Sequence, residues 1–133
     1  MSTAVVEHVT DAQFDAMVLE SEQPIVVDVW APWCGPCRAM APNFEAAAKR
    51  YAGKARFLKL NSDENRETVS RYKIMGIPTV LYFSHGLLVD RKSGLQSAEA
   101  IEKRVEPLLG MDAETAEANE VRGWFRWPFR RKK

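Results

Sequence analysis

Cysteine is scarce: the 133-residue chain has only 2. That excludes a small domain stapled by several disulfides, and two thiols alone cannot fill a four-ligand structural zinc site. A dominant charge sign is missing too, since 19 Lys and Arg against 18 Asp and Glu leave a formal net charge of +1. No apolar run approaches the roughly 20 residues needed to span a bilayer. The opening Met1-Ser2-Thr3-Ala4-Val5-Val6-Glu7 has neither a basic start nor a long apolar stretch, so it does not read as a secretory signal. There is no internal repeat and no low-complexity linker. What is present is a globular composition, 46% apolar and 28% charged, at a length that suits one domain. The expectation is a cytoplasmic protein.

The near-neutral average hides a division along the chain. Residues 1–110 hold 13 basic and 14 acidic side chains. Residues 111–121 carry four acids (Asp112, Glu114, Glu117, Glu120) and no base. Residues 122–133 carry six bases (Arg122, Arg126, Arg130, Arg131, Lys132, Lys133) and no acid, with Trp124, Phe125, Trp127 and Phe129 among them. This predicts a domain over 1–110 and an extension over 111–133, acidic first and then basic and aromatic.

Within the domain the apolar pattern alternates between strand and helix. Ala4–Val9 reads as a short strand, and Thr10 with Gln13 as a capping box opening a helix that carries Phe14, Met17 and Val18. Ile25–Trp30 is apolar on both faces except at Asp28, the signature of a central strand covered on both sides. Pro36 to Tyr51 has a helical stripe in Phe44, Ala47, Ala48 and Tyr51, with Pro42 inside it as an expected kink. Arg56–Asn61 completes a strand–helix–strand unit that favours parallel pairing. A short helix comes next, near Asn65–Tyr72. Thr79–Ser84 and Leu87–Lys92 then form a hairpin through His85-Gly86. Ser97 caps a last helix with Ile101, Val105, Leu108 and Leu109 inward, ending at Gly110. The fold class is α/β, a central mixed β-sheet flanked by helices on both faces.

Both cysteines lie in Trp33-Cys34-Gly35-Pro36-Cys37, directly after a core strand and at a helix entrance. Residues three apart on a helix share a face, with Cα atoms about 5 Å apart. A disulfide accepts roughly 4.4–6.8 Å, so the pair can open and close with little backbone movement. Cys34 faces free N–H groups and the positive end of the helix dipole, which stabilise thiolate. It is the expected nucleophile, and Cys37, one turn in, the expected resolving thiol. The alternatives are a buried pair without redox role or half of a metal site. His8 and His85, the only histidines, show no ligand spacing with the cysteines, so no metal is expected.

Asp28 is costly to bury without purpose. Burial raises a carboxyl pKa, which makes it a candidate proton acceptor near neutral pH; the alternative is an acid paired with a cation or reaching solvent. Lys59 on the following strand is the obvious partner, unless it is simply an exposed strand lysine.

These residues resemble the thioredoxin family. Its signature is carried whole by Trp33-Cys34-Gly35-Pro36-Cys37, surrounded by Val27-Asp28-Val29-Trp30-Ala31, Ala41-Pro42, Leu58-Lys59-Leu60-Asn61 and Gly76-Ile77-Pro78-Thr79, with Gly86 and Gly94 in order. The likeness covers residues 4–110. It implies the thioredoxin fold and a dithiol that reduces protein disulfides, re-reduced by an NADPH-dependent flavin thioredoxin reductase, with no bound cofactor beyond the redox-active disulfide. It also implies that Asp28 deprotonates Cys37 and that Pro78 is a cis-proline beside the sulfurs. Trp33, Gly76, Ile77, Pro78, Gly94 and Leu95 are implied as an apolar docking surface where an extended substrate segment pairs with backbone. Gly35 and Pro36 are implied to tune the redox potential, Gly-Pro belonging to reducing members. Ser84-His85 and Met75 depart from the usual pattern, outside the catalytic set.

The resemblance leaves residues 111–133 unexplained. The acidic part either extends the last helix or stays disordered. The basic-aromatic part is either a tail packed back on the domain or an anchor for an anionic membrane surface. Nucleic acid is disfavoured because no binding fold accompanies the charges, and a monomer is expected. A thioredoxin-fold interaction subunit is the rival functional class.

Overall fold

The computed structural model describes residues 5–121. The basic-aromatic stretch 122–133 lies outside the described residues. Five strands, β1 (Val6–His8), β2 (Ile25–Trp30), β3 (Arg56–Asn61), β4 (Thr79–Ser84) and β5 (Leu87–Ser93), form one sheet in the order β1-β3-β2-β4-β5. β1, β3 and β2 are parallel, whereas β4 runs antiparallel to both β2 and β5. The helices are α1 (Asp11–Phe14), continued as a wide π turn over Asp15–Leu19, then α2 (Gly35–Arg50), α3 (Arg66–Arg71), α4 (Ala98–Val105) and α5 (Ala113–Ala118).

Strand alternation divides the core in two. Val26, Phe57, Val80 and Tyr82 face α2 and α4, against Phe44, Ala47, Ala48, Ile101 and Val105. Ile25, Val27, Val29, Leu58, Leu60, Leu81 and Phe83 face the other way, against Phe14 and Val18. β2 is therefore covered on both sides, as its unbroken apolar run requires, and the thioredoxin fold expected from the resemblance is the fold observed.

Local chemistry explains most boundaries. The Thr10 N–H donates to Gln13 Oε1 at α1, and Ser97 Oγ accepts from the Ala100 N–H at α4. α2 runs unbroken through Pro42. α4 stops sooner than its apolar stripe suggests. Pro107 cannot supply an N–H to the preceding turn, so Glu106–Leu108 tighten into a 3₁₀ turn that still buries Leu108. The β4–β5 turn places His85 at φ +52° and Gly86 at φ +78°, the left-handed pair a two-residue hairpin demands. A Cβ on Gly86 would collide with the Leu19 carbonyl.

The acidic segment neither prolongs α4 nor remains without structure. It forms the separate helix α5, capped by Asp112, whose Oδ1 accepts from the Thr115 N–H at 2.8 Å. α5 packs on β5 with Ala116 fully buried. The Val121 N–H then donates to the Leu88 carbonyl at 2.7 Å.

Candidate active site

Parallel strands β2 and β3 end at the same edge of the sheet, and the chain leaving Trp30 turns straight into α2. Cys34 is the residue that caps α2, in extended conformation, and its Sγ accepts from the Cys37 N–H at 3.2 Å. First-turn N–H groups have no partner within their own helix. Sulfur takes one of them here, and the same donor and helix dipole would hold negative charge on Cys34 once the pair is reduced. Pro36, in the first turn, needs no N–H acceptor. Cys34 and Cys37 form a disulfide with Cα atoms 5.2 Å apart, matching the spacing expected of residues three apart on a helix.

Asp28 lies inside β2 and is 1% exposed. Its Oδ1 has no hydrogen-bond partner. Burial pushes its carboxyl up from 3.8 to about 7, and the positive charge of Lys59 opposes the rise. The two residues are register partners across β2 and β3. The Lys59 ammonium sits over the Trp30 ring, 4.4 Å from its centroid, so Lys59 acts on Asp28 through space while its charge is also held by an aromatic face.

The Ile77–Pro78 peptide is cis, and the Ile77 carbonyl oxygen is 3.9 Å from Cys34 Sγ. Ile77 packs with Ala31, Cys34 and Cys37. The Gly94 N–H donates to the Pro78 carbonyl at 2.8 Å, with Gly94 at φ +99°, a conformation that favours glycine. The loop before β4 and the end of β5 are thereby joined beside the dithiol, bringing Gly94 to Pro78, with Leu95 next in the chain. Among the described residues the large exposed apolar side chains are Trp33, Met75 and Leu95. All three belong to the loops at this end of the sheet.

Sequence reasoning misses Asp63. Its Oδ2 accepts from Trp33 Nε1 at 2.9 Å, fixing an indole that is 66% exposed. Nothing near Asp63 in the chain signals this, because its partner is 30 residues away. A cleft of about 210 Å³ beside the dithiol is lined by Asp63, Arg66, Met75, Gly76 and Ile77. Tyr82 carries no sequence signal beyond its place in a strand. Its phenol is buried without a partner, and burial above all raises its pKa, with Asp90 and Asp28 adding to the rise and Arg104 opposing it.

Comparison with known proteins agrees with this geometry. The thioredoxin family model matches residues 5–107. A chloroplastic M-type thioredoxin of Pisum sativum is 46% identical over 104 residues, covering 78% of this chain but only 60% of that longer protein. A thioredoxin of Synechocystis is 45% identical over 101 residues, covering 76% of this chain and 94% of the relative. One of Rickettsia typhi is 42% identical over 97 residues, covering 73% and 92%. With a family match over most of its length and a Cys-Gly-Pro-Cys disulfide at the head of α2, the chain belongs to the thioredoxin family.

Proposed function

We propose that this chain reduces disulfide bonds in other proteins by dithiol–disulfide exchange through Cys34 and Cys37. The observation that carries the reading is the Cys34–Cys37 disulfide at the N-terminus of α2, with the Cys37 N–H directed at Cys34 Sγ. In the reduced protein the Cys34 thiolate attacks one sulfur of a substrate disulfide. The substrate's other sulfur leaves as thiolate and takes a proton from solvent. Cys37 gives its proton to Asp28, whose raised pKa suits it to accept near neutrality. The Cys37 thiolate then attacks Cys34 Sγ, closing the internal disulfide and releasing the second substrate thiolate. Two electrons have passed to the substrate. Gly35 and Pro36 set the potential on the reducing side, and Lys59 is a positioning residue that acts through Asp28.

The substrate rests on Trp33, Gly76, Ile77, Pro78, Gly94 and Leu95, joined by Met75. An extended segment there pairs with the backbone of Ile77, next to Pro78. An NADPH-dependent thioredoxin reductase returns two electrons to the disulfide, and the protein works in the cytoplasm as a monomer. Insulin reduction by wild type and Cys34→Ser tests the proposal. Rapid turnover lost in the variant supports it; wild type no faster than Cys34→Ser sinks it and leaves the fold serving as a binding module.

A further inference from the structure

The described methionines are Met17, Met40, Met75 and Met111, and their surroundings differ. Met40 is fully buried on α2, and Met17 and Met111 are partly buried, each packed on one of the two cores. Met75 stands clear at 91% exposure, above Trp33 and Leu95. The loop between α3 and β4 holds it outward. On one side the Ile74 N–H donates to the Val69 carbonyl at 3.0 Å, and Ile74 packs on the core. On the other side Ile77 packs on the same core, and the Thr79 hydroxyl donates to the Gly76 carbonyl. Arg91 Nη1 donates to the Tyr72 carbonyl at 2.7 Å where the loop begins. Anchored on both sides, the loop displays Met75 rather than folding it back on the sheet.

Its position ties this sulfur to the dithiol. Met75 comes two residues before Ile77, whose carbonyl oxygen is 3.9 Å from Cys34 Sγ. It lines the cleft of about 210 Å³ together with Ile77 and Asp63, the acceptor that orients Trp33. An unoxidised thioether is flexible and polarizable, so it adapts to varied apolar surfaces. A sulfoxide is polar, and its oxygen left unpaired in a dry contact disfavours that contact. Competition among the sulfurs sets when oxidation reaches Met75. In the reduced protein a Cys34 thiolate is the better target for a hydroperoxide. In the disulfide form both cysteine sulfurs are bonded to each other and nearly buried. Met75 is then the most open sulfur among the described residues.

We infer that Met75 is an oxidative modification site that controls substrate docking. A hydroperoxide converts it to the sulfoxide while the dithiol is in its disulfide form, and the sulfoxide weakens docking without touching the exchange chemistry. The peroxide O–O bond breaks as one oxygen passes to the Met75 sulfur. The sulfur loses two electrons, and the peroxide is reduced to water, or to an alcohol where it carries an organic group. Methionine sulfoxide reductases restore the thioether, so the change is reversible. The effect on docking rests on the proposed disulfide reduction; the selectivity of oxidation does not.

In the test, the full chain in its disulfide form is treated with dilute hydrogen peroxide, freed of peroxide and mapped by tryptic peptide mass spectrometry. Met75 should gain one oxygen well before Met17, Met40 and Met111. KM and kcat for insulin are then measured for wild type and Met75→Leu, each against its own untreated value. Wild-type KM should rise about fivefold, the equivalent of losing part of one buried apolar side chain, while kcat holds. It should return to the untreated value after incubation with a methionine sulfoxide reductase. Met75→Leu has no sulfur to oxidise there, and its KM should not respond to peroxide. Oxidation of Met17 or Met111 as early as Met75 would overturn the proposal. So would an unchanged wild-type KM once Met75 is oxidised, or a Met75→Leu response as large as that of wild type. Failure of the untreated protein to reduce insulin would instead sink the reductase activity, and the effect on docking with it.

Discussion

Asp28 stands opposite Lys59 in the parallel register of β2 and β3, while the Lys59 ammonium rests on the face of Trp30. The acid is thus buried with a cation near enough to restrain its pKa, and it still rises to about 7. Lys59→Met removes that restraint and leaves only burial. The Asp28 pKa should move higher, and the pH midpoint of mixed-disulfide resolution should rise with it. Rapid-quench kinetics across pH 6 to 9 would show this; an unmoved midpoint would mean that Lys59 does not act on Asp28.

The same burial makes Asp28 a liability for stability. Its folded pKa of about 7 lies above the unfolded value of 3.8, so the folded state holds the proton more tightly. The resulting stability is fully present below about pH 3.8 and is lost as pH rises through about 7. Asp28→Asn should be more stable than wild type by about 4 kcal/mol above that range and lose most of this advantage in acid. Urea unfolding of both proteins at pH 5 and pH 8 measures the difference. The cost should fall on resolution by Cys37 rather than on first attack by Cys34.

How much of this is legible in the sequence depends on range. β2 and β3 begin and end where their residue patterns place them, because a buried β-branched run and a clean alternation are local signals. The dithiol and its helix entrance are equally readable, since strand, Cys-x-x-Cys and helix are consecutive in the chain. Long-range contacts are not readable. α5 is held by the burial of Ala116 and the bond from Val121 to Leu88, 33 residues away. Asp63 is bonded to Trp33 across 30 residues, and the Asp11 carboxylate accepts from Glu67 and Thr68 at the start of α3. The early end of α4 is visible in Pro107, but the apolar stripe running on to Leu108 masks it.

Asp63 offers a test of the docking surface. Asp63→Ala removes the acceptor that orients Trp33, without touching either sulfur. One lost partly exposed hydrogen bond should raise the KM for insulin about threefold while kcat stays near wild type. A fall in kcat alone would place Asp63 in the chemistry instead.

At the other pole, Gly86→Ala should cost about 2 kcal/mol or more. It forces a Cβ into a positive-φ turn and against the Leu19 carbonyl. The midpoint of urea unfolding should fall while the specific activity of the folded protein is retained, because the turn lies at the end of the sheet away from Cys34. Loss of activity without loss of stability would count against that separation.

The central claim is that Cys34 attacks and Cys37 resolves. Cys37→Ser keeps the nucleophile and removes the resolving sulfur, so exchange should stop at the mixed disulfide. The reduced variant, mixed with a disulfide-containing protein and quenched with acid, is mapped by peptide mass spectrometry. The account predicts an abundant covalent complex joined through Cys34, and none with Cys34→Ser under the same conditions. Complexes joined through Cys37 in the Cys34→Ser protein, at yields equal to those of Cys37→Ser, would contradict it.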